Sequence, residues 1–111
     1  MTEKELIELA KKQLLDYRSY KPGSCFSNPN FSLGIKKAYF LQDTVTNLRI
    51  AEGEKVIGYK IGCVSKDTQN KMGFKQPVSG YLWNTELYKS GVTLNKKDYT
   101  NPAMEAEFGV I

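Results

Sequence analysis

At 111 residues, with sixteen lysines and arginines against twelve aspartates and glutamates, the chain has room for one domain and a formal net charge of +4. Its 41% hydrophobic, 25% charged and 12% aromatic residues fit a globular protein, not a disordered, collagenous or membrane-spanning one, and no run reaches the ~18 apolar residues of a membrane span. The absence of histidine removes His-based triads, HExxH zinc sites and an imidazole base at once, and neither a P-loop nor a GxGxxG turn is present.

Thr2-Glu3-Lys4-Glu5 has the form of a capping box, and Leu6, Ile7, Ala10, Leu14 and Leu15 follow at helical spacing, which predicts a helix over about residues 3–17. Lys21-Pro22-Gly23 and Ser27-Asn28-Pro29-Asn30 mark a loop. Ser32 is placed to cap a second helix with the stripe Ile35, Ala38, Leu41, Val45 and Leu48, which Gly53 ends. From Val56 the period changes to two. Ile57, Tyr59, Ile61 and Cys63 fall on one strand face, and Val56, Gly58, Lys60, Gly62 and Val64 on the other. A short helix over Ser65 to Met72, a bend at Gln76-Pro77 and a brief strand at Gly80-Tyr81-Leu82-Trp83 come next. Ser90-Gly91 is a turn, and residues 104–111 alternate as a last strand. Helices first and strands after predict an α+β fold: a helical segment over residues 1–53, then short strands of a mixed β fold over 54–111, incomplete at the C-terminus.

Arg18 and Arg49 are the only arginines, and the lysines are scattered among acids as singles and pairs, so the charge does not form a nucleic-acid-reading face. Cys25 and Cys63 lack CxxC spacing, and the polar start Met1-Thr2-Glu3-Lys4-Glu5 is no signal peptide. The expectation is a cytoplasmic chain with reduced thiols. Cys63 itself reads as a small core residue, and Tyr81 and Trp83 as core or interface.

Two places could carry chemistry. Glu105 and Glu107 share one face of the last strand, roughly 6.5–7 Å apart. Their side chains can lean together on one hard divalent cation, since carboxylate oxygens alone favour Mg²⁺, Mn²⁺ or Ca²⁺. The alternative is a solvated outer face. Lys60 stands between Gly58 and Gly62, and glycines inside a strand often mark where a ligand or backbone approaches closely. It reads as an anion anchor or proton donor, or else as an ordinary exposed lysine beside a bulge.

Taken in order, several short motifs resemble one family. They are Ala38-Tyr39 with Gln42; Gly58-Tyr59-Lys60-Ile61-Gly62 with Ser65; Gln69, Gly73, Pro77 and Gly80; Ser90-Gly91; and Pro102 with Glu105-Ala106-Glu107. From about Leu33 to its last residue the chain resembles the 2-keto-4-pentenoate hydratases of the fumarylacetoacetate-hydrolase-like superfamily. The resemblance implies that Glu105 and Glu107 are two of three acidic ligands for Mg²⁺ or Mn²⁺, the third lying beyond residue 111. It implies that Lys60 is catalytic and, with Ser65, substrate-binding. The substrate is then a small 2-oxo or 2-hydroxy acid chelated by the metal, with water added across the distal double bond, as in aromatic-compound catabolism.

Decarboxylases of the 4-oxalocrotonate type share nearly the same site, so decarboxylation is the alternative reaction; a truncated, non-catalytic binding or assembly module is the alternative of another class. The superfamily's hydrolases often use a His–Glu pair, which a chain without histidine does not supply. Cys63-Val64 stands where Leu-Thr is more usual, and Val78 where many hydratases carry an acid. Family members are longer, so the chain is expected to be a fragment, a shortened product or half of a split protein, inactive alone. A homo-oligomer or a complementary C-terminal chain is the expected partner, with no nucleic acid and no membrane.

Overall fold

The computed structural model describes all 111 residues, Met1–Ile111. Helix α1 (Glu3–Arg18) starts on the expected capping box: the Glu5 amide donates to the Thr2 hydroxyl at 3.3 Å and the Thr2 amide donates to the Glu5 carboxylate at 2.6 Å. These contacts hold the Glu5 carboxyl below its usual range. Of the predicted stripe, Leu6, Ala10 and Leu14 are buried, whereas Ile7 and Leu15 are exposed. Those three lie four residues apart on one row, which is the width a helix needs when a single helix packs on it.

That partner is α2 (Ile35–Ala51). It begins from Gly34 with no side-chain cap, not from the expected Ser32, which lies two residues before the N-cap position. Gly53 ends it as expected. With φ +98 it takes the left-handed turn, and the Gly53 and Glu54 amides close on the carbonyls of Ile50 and Arg49.

Strands β1 (Val56–Gly62) and β2 (Val78–Trp83) form a two-stranded antiparallel sheet with Lys60 opposite Gly80 and Ile61 opposite Ser79, and an irregularity between Val56 and Gly58. The strand stops before Cys63, which turns away with φ +55. The buried Gln69 amide fixes this turn by donating to the Cys63 carbonyl at 2.9 Å. Gln69 belongs to α3 (Lys66–Met72), which Ser65 caps and Gly73 terminates at φ +75. Side chains of α2 close the outer edge of β2. The Ser79 amide donates to the Tyr39 hydroxyl at 3.1 Å, and the Gln42 amide donates to the Ser79 carbonyl at 3.1 Å. The outer edge of β1 has no such cover.

The fold class is α+β, as expected, but the strand predicted over residues 104–111 does not form. That segment is irregular and makes no main-chain hydrogen bond. Alternation fixes which side chains share a face; a strand also needs a neighbour for its amides and carbonyls, and nothing in the chain lies alongside. Met104, Phe108 and Val110 are accordingly 99%, 103% and 96% exposed. The face of β1 expected to be apolar and covered is open too, with Tyr59 70% and Ile61 65% exposed. The core is small: Leu6, Ala10, Leu14, Leu41 and Trp83.

Candidate active site

Strand β1 carries Lys60 at its centre, between Gly58 and Gly62 on the same face and opposite Gly80. With no side chain on any of these neighbours, the amine crosses to the Glu107 carboxylate and forms an ion pair that joins positions 47 apart in sequence. Both groups are about half exposed, so the pair is screened by water and adds little to stability. Glu105, two residues before, is exposed and forms no ion pair within the chain. Ser65 serves α3: its hydroxyl accepts from the Thr68 amide at 3.1 Å and donates to the Thr68 hydroxyl at 2.8 Å. Of the four residues singled out, the structure pairs Lys60 with Glu107, while Glu105 and Ser65 make no hydrogen bond or ion pair with either.

The donor chemistry of Glu105 and Glu107 fits a hard divalent cation, but two carboxylates on an exposed segment do not close a coordination sphere. No group of three or more His, Cys, Asp or Glu side chains converges anywhere in the chain.

Beside β1 lies a small polar cleft of about 200 Å³, lined by Tyr39, Gln42, Asp43, Tyr59, Ser79 and Tyr81 among others. The Tyr81 hydroxyl donates to the Asp43 carboxylate at 2.8 Å, which raises the Tyr81 pKa above its ordinary value. The Tyr59 and Tyr81 rings meet at 5.7 Å, tilted by 53°. A larger and more apolar cleft of about 570 Å³ lies between the α1–α2 loop, α2 and β2, with Phe26, Phe31, Leu41 and Trp83 in its walls; none of Lys60, Ser65, Glu105 or Glu107 lines it.

The most densely bonded side chain is one that sequence reasoning did not single out. Arg49, at the end of α2, grips Glu54 through two bonds of 2.7 Å and Glu86 at 2.8 Å. It also lies over the Trp83 ring at 4.1 Å and the Tyr17 ring at 5.3 Å. The Arg49 guanidinium, with the Thr85 hydroxyl, pulls the Glu54 carboxyl down to about 2 against the opposing effect of burial. Burial and the hydrogen bond to Glu86 push Tyr17 up to about 12. The signal for Arg49 was its position, directly after Leu48 and four residues from Val45 on the apolar stripe, where a charge must find partners.

Most of the fold recurs in a solved structure. The chain matches 4-oxalocrotonate decarboxylase from Pseudomonas putida G7, complexed with magnesium and adipate, at a TM-score of 0.65 and 23% identity, over 77% of this chain and 32% of that one. The likeness shows the fold that the two share. No protein-family model matches the chain. In sequence it is 37% identical over 82 residues to 2-hydroxypent-2,4-dienoate hydratase from Pseudomonas putida, covering 73% of this chain and 37% of the relative. It is 31% identical over 110 residues to 2-hydroxyhexa-2,4-dienoate hydratase from Comamonas testosteroni (96% and 42%), and 28% identical over 111 residues to 2-keto-4-pentenoate hydratase from Paraburkholderia xenovorans (100% and 41%). The chain belongs with the 2-keto-4-pentenoate hydratases as a partial-length member. It spans about two fifths of the length of the curated relatives it matches.

Proposed function

We propose that this chain is part of a hydratase that adds water to a small 2-hydroxy-dienoate or 2-oxo-enoate acid at a divalent metal, Mg²⁺ or Mn²⁺. The observation that carries the reading is the sequence match to hydratases of this one substrate class over 73% to 100% of the chain. Glu105 and Glu107 supply two carboxylates toward the metal, and the remaining ligand comes from outside the chain. The bound cation would act as a Lewis acid toward the substrate's carboxylate and its 2-oxo or 2-enol oxygen.

The chain's own contribution centres on Lys60. Its cleared strand face leaves room for a flat acid beside the amine, and the ammonium donates hydrogen bonds to the substrate oxygen on which charge develops. Glu107 holds the amine in place through the ion pair until substrate enters. Ser65 is the remaining candidate for substrate binding, although its hydroxyl is engaged by Thr68 in this structure. Decarboxylation is the alternative reaction. The decarboxylase likeness, at 23% identity, speaks for the fold alone, so hydration is preferred.

The test uses the complete enzyme that contains these residues. Loss of the dienoate's ultraviolet absorbance is followed with and without Mg²⁺ or Mn²⁺, alongside CO₂ release and calorimetric metal binding. Hydration that depends on metal and releases no CO₂ is expected; CO₂ release in step with substrate loss assigns decarboxylation instead. Glu107→Gln should weaken metal binding and abolish turnover. Lys60→Met should keep metal binding and cut kcat by roughly 10²-fold or more. Undiminished turnover in that variant removes Lys60 from the mechanism.

A further inference from the structure

On the Lys60 face of the sheet the two strands contribute the pairs Gly58–Leu82, Lys60–Gly80 and Gly62–Val78. With glycine at half of these positions, a lane free of side chains runs past the amine, with Leu82 at one end and Val78 at the other. The two ends differ. A Cβ added to Gly58 would lie 3.5 Å from Leu82 Cδ1 and 3.9 Å from Leu82 Cβ, so Leu82 leans over its glycine and closes that end. A Cβ added to Gly62 would meet only Val78 Cγ2, at 3.9 Å, so the Val78 end keeps room for more atoms.

The polar groups stand at the middle of the lane. Gln42 Nε2 is 3.5 Å from the point a Gly80 Cβ would occupy, and it donates one of its two N–H groups to the Ser79 carbonyl at 3.1 Å. Lys60 is directly opposite Gly80. The amine and the second N–H of Gln42 are both donors, suited to the oxygens at the head of an acid. Neither end offers a donor, because Val78 and Leu82 are aliphatic and the paired positions supply no second cation. Residues two apart on a strand are separated by about 7 Å. A short acid whose head lies beside Lys60 and Gly80 therefore reaches Val78 with its far end.

We propose that Val78 is a specificity-determining residue: it packs on the far end of the acid, admitting a hydrocarbon tail and rejecting one that ends in a carboxylate. A carboxylate placed there gives up its water and meets a side chain that donates no hydrogen bond, with no cation beside it. A methyl or vinyl end gains instead, by burying apolar surface against the Val78 methyls. This assignment rests on the proposed role of Lys60 at the head of the substrate and goes beyond it by giving the far end to Val78.

The test is calorimetric binding to the complete enzyme, with Mg²⁺ supplied, of 2-oxohexanoate and 2-oxoadipate. These acids have the same length and differ in a terminal methyl against a terminal carboxylate. The expected result is that 2-oxohexanoate binds tighter by about 100-fold or more. Val78→Lys should shrink that ratio about tenfold, chiefly by tightening 2-oxoadipate. Val78→Thr, which keeps the shape and adds a hydroxyl, should shrink it by weakening 2-oxohexanoate, and Leu82→Lys should leave it nearly unchanged. Equal binding of the two acids, a ratio that neither Val78 variant moves, or one that Leu82→Lys moves instead overturns the proposal. Dienoate turnover is scored separately. The methyl-over-carboxylate preference without hydratase turnover sinks the hydratase reading alone, and hydratase turnover without the preference sinks the role of Val78 alone.

Discussion

Arg49 is held by two carboxylates and two aromatic rings while its side chain is only 9% exposed. Removing it strands Glu54, which is nearly as buried. Arg49→Met should therefore cost about 3 kcal/mol, read as a lower urea midpoint. Arg49→Lys should recover little of that, because an ammonium cannot make the two parallel bonds of the guanidinium fork. The same cluster sets the pH dependence of folding. Glu54 has a depressed folded pKa, so its contribution is present above about 4.5 and is lost as pH falls through about 2. Tyr17 has a raised folded pKa, so its contribution is present below about 10 and is lost as pH rises through about 12. Stability measured across pH should fall at both ends, and Glu54→Gln should flatten the acid limb. At this scale the cleared strand face around Lys60 was legible, since two glycines beside a lysine on one strand face are a local pattern. Arg49 was less legible because its partners lie 5 and 37 residues away.

Among the elements, α3 is the one whose cap doubles as a candidate site. Ser65 occupies the N-cap and Gly73 the left-handed exit, both of which local chemistry announces. Ser65→Ala should cost about 1 kcal/mol in thermal unfolding, and if Ser65 also touches substrate, KM should rise beyond what the stability loss explains. Ser65→Thr or Ser65→Asp restores the cap; only a hydroxyl in the right place restores KM. The helices and the strands β1 and β2 were readable because their periods, caps and glycine stops are local. The strand over residues 104–111 was misjudged because alternation carries no information about a pairing neighbour.

The whole molecule has many exposed apolar side chains for its small core. The chain should bind a hydrophobic dye of the anilinonaphthalene type, read as a rise in the dye's fluorescence.

The sequence by itself determined the two long helices, the two paired strands, the α+β class and the family. Each of these is written in spacings of two to four residues or in motifs whose order along the chain suffices. Only the tertiary structure decided that Lys60 meets Glu107, that Arg49 binds three elements together, and that one sheet edge stays open. Those outcomes depend on which distant segments come alongside one another, and a pairing partner is a property of the folded chain that no local pattern encodes.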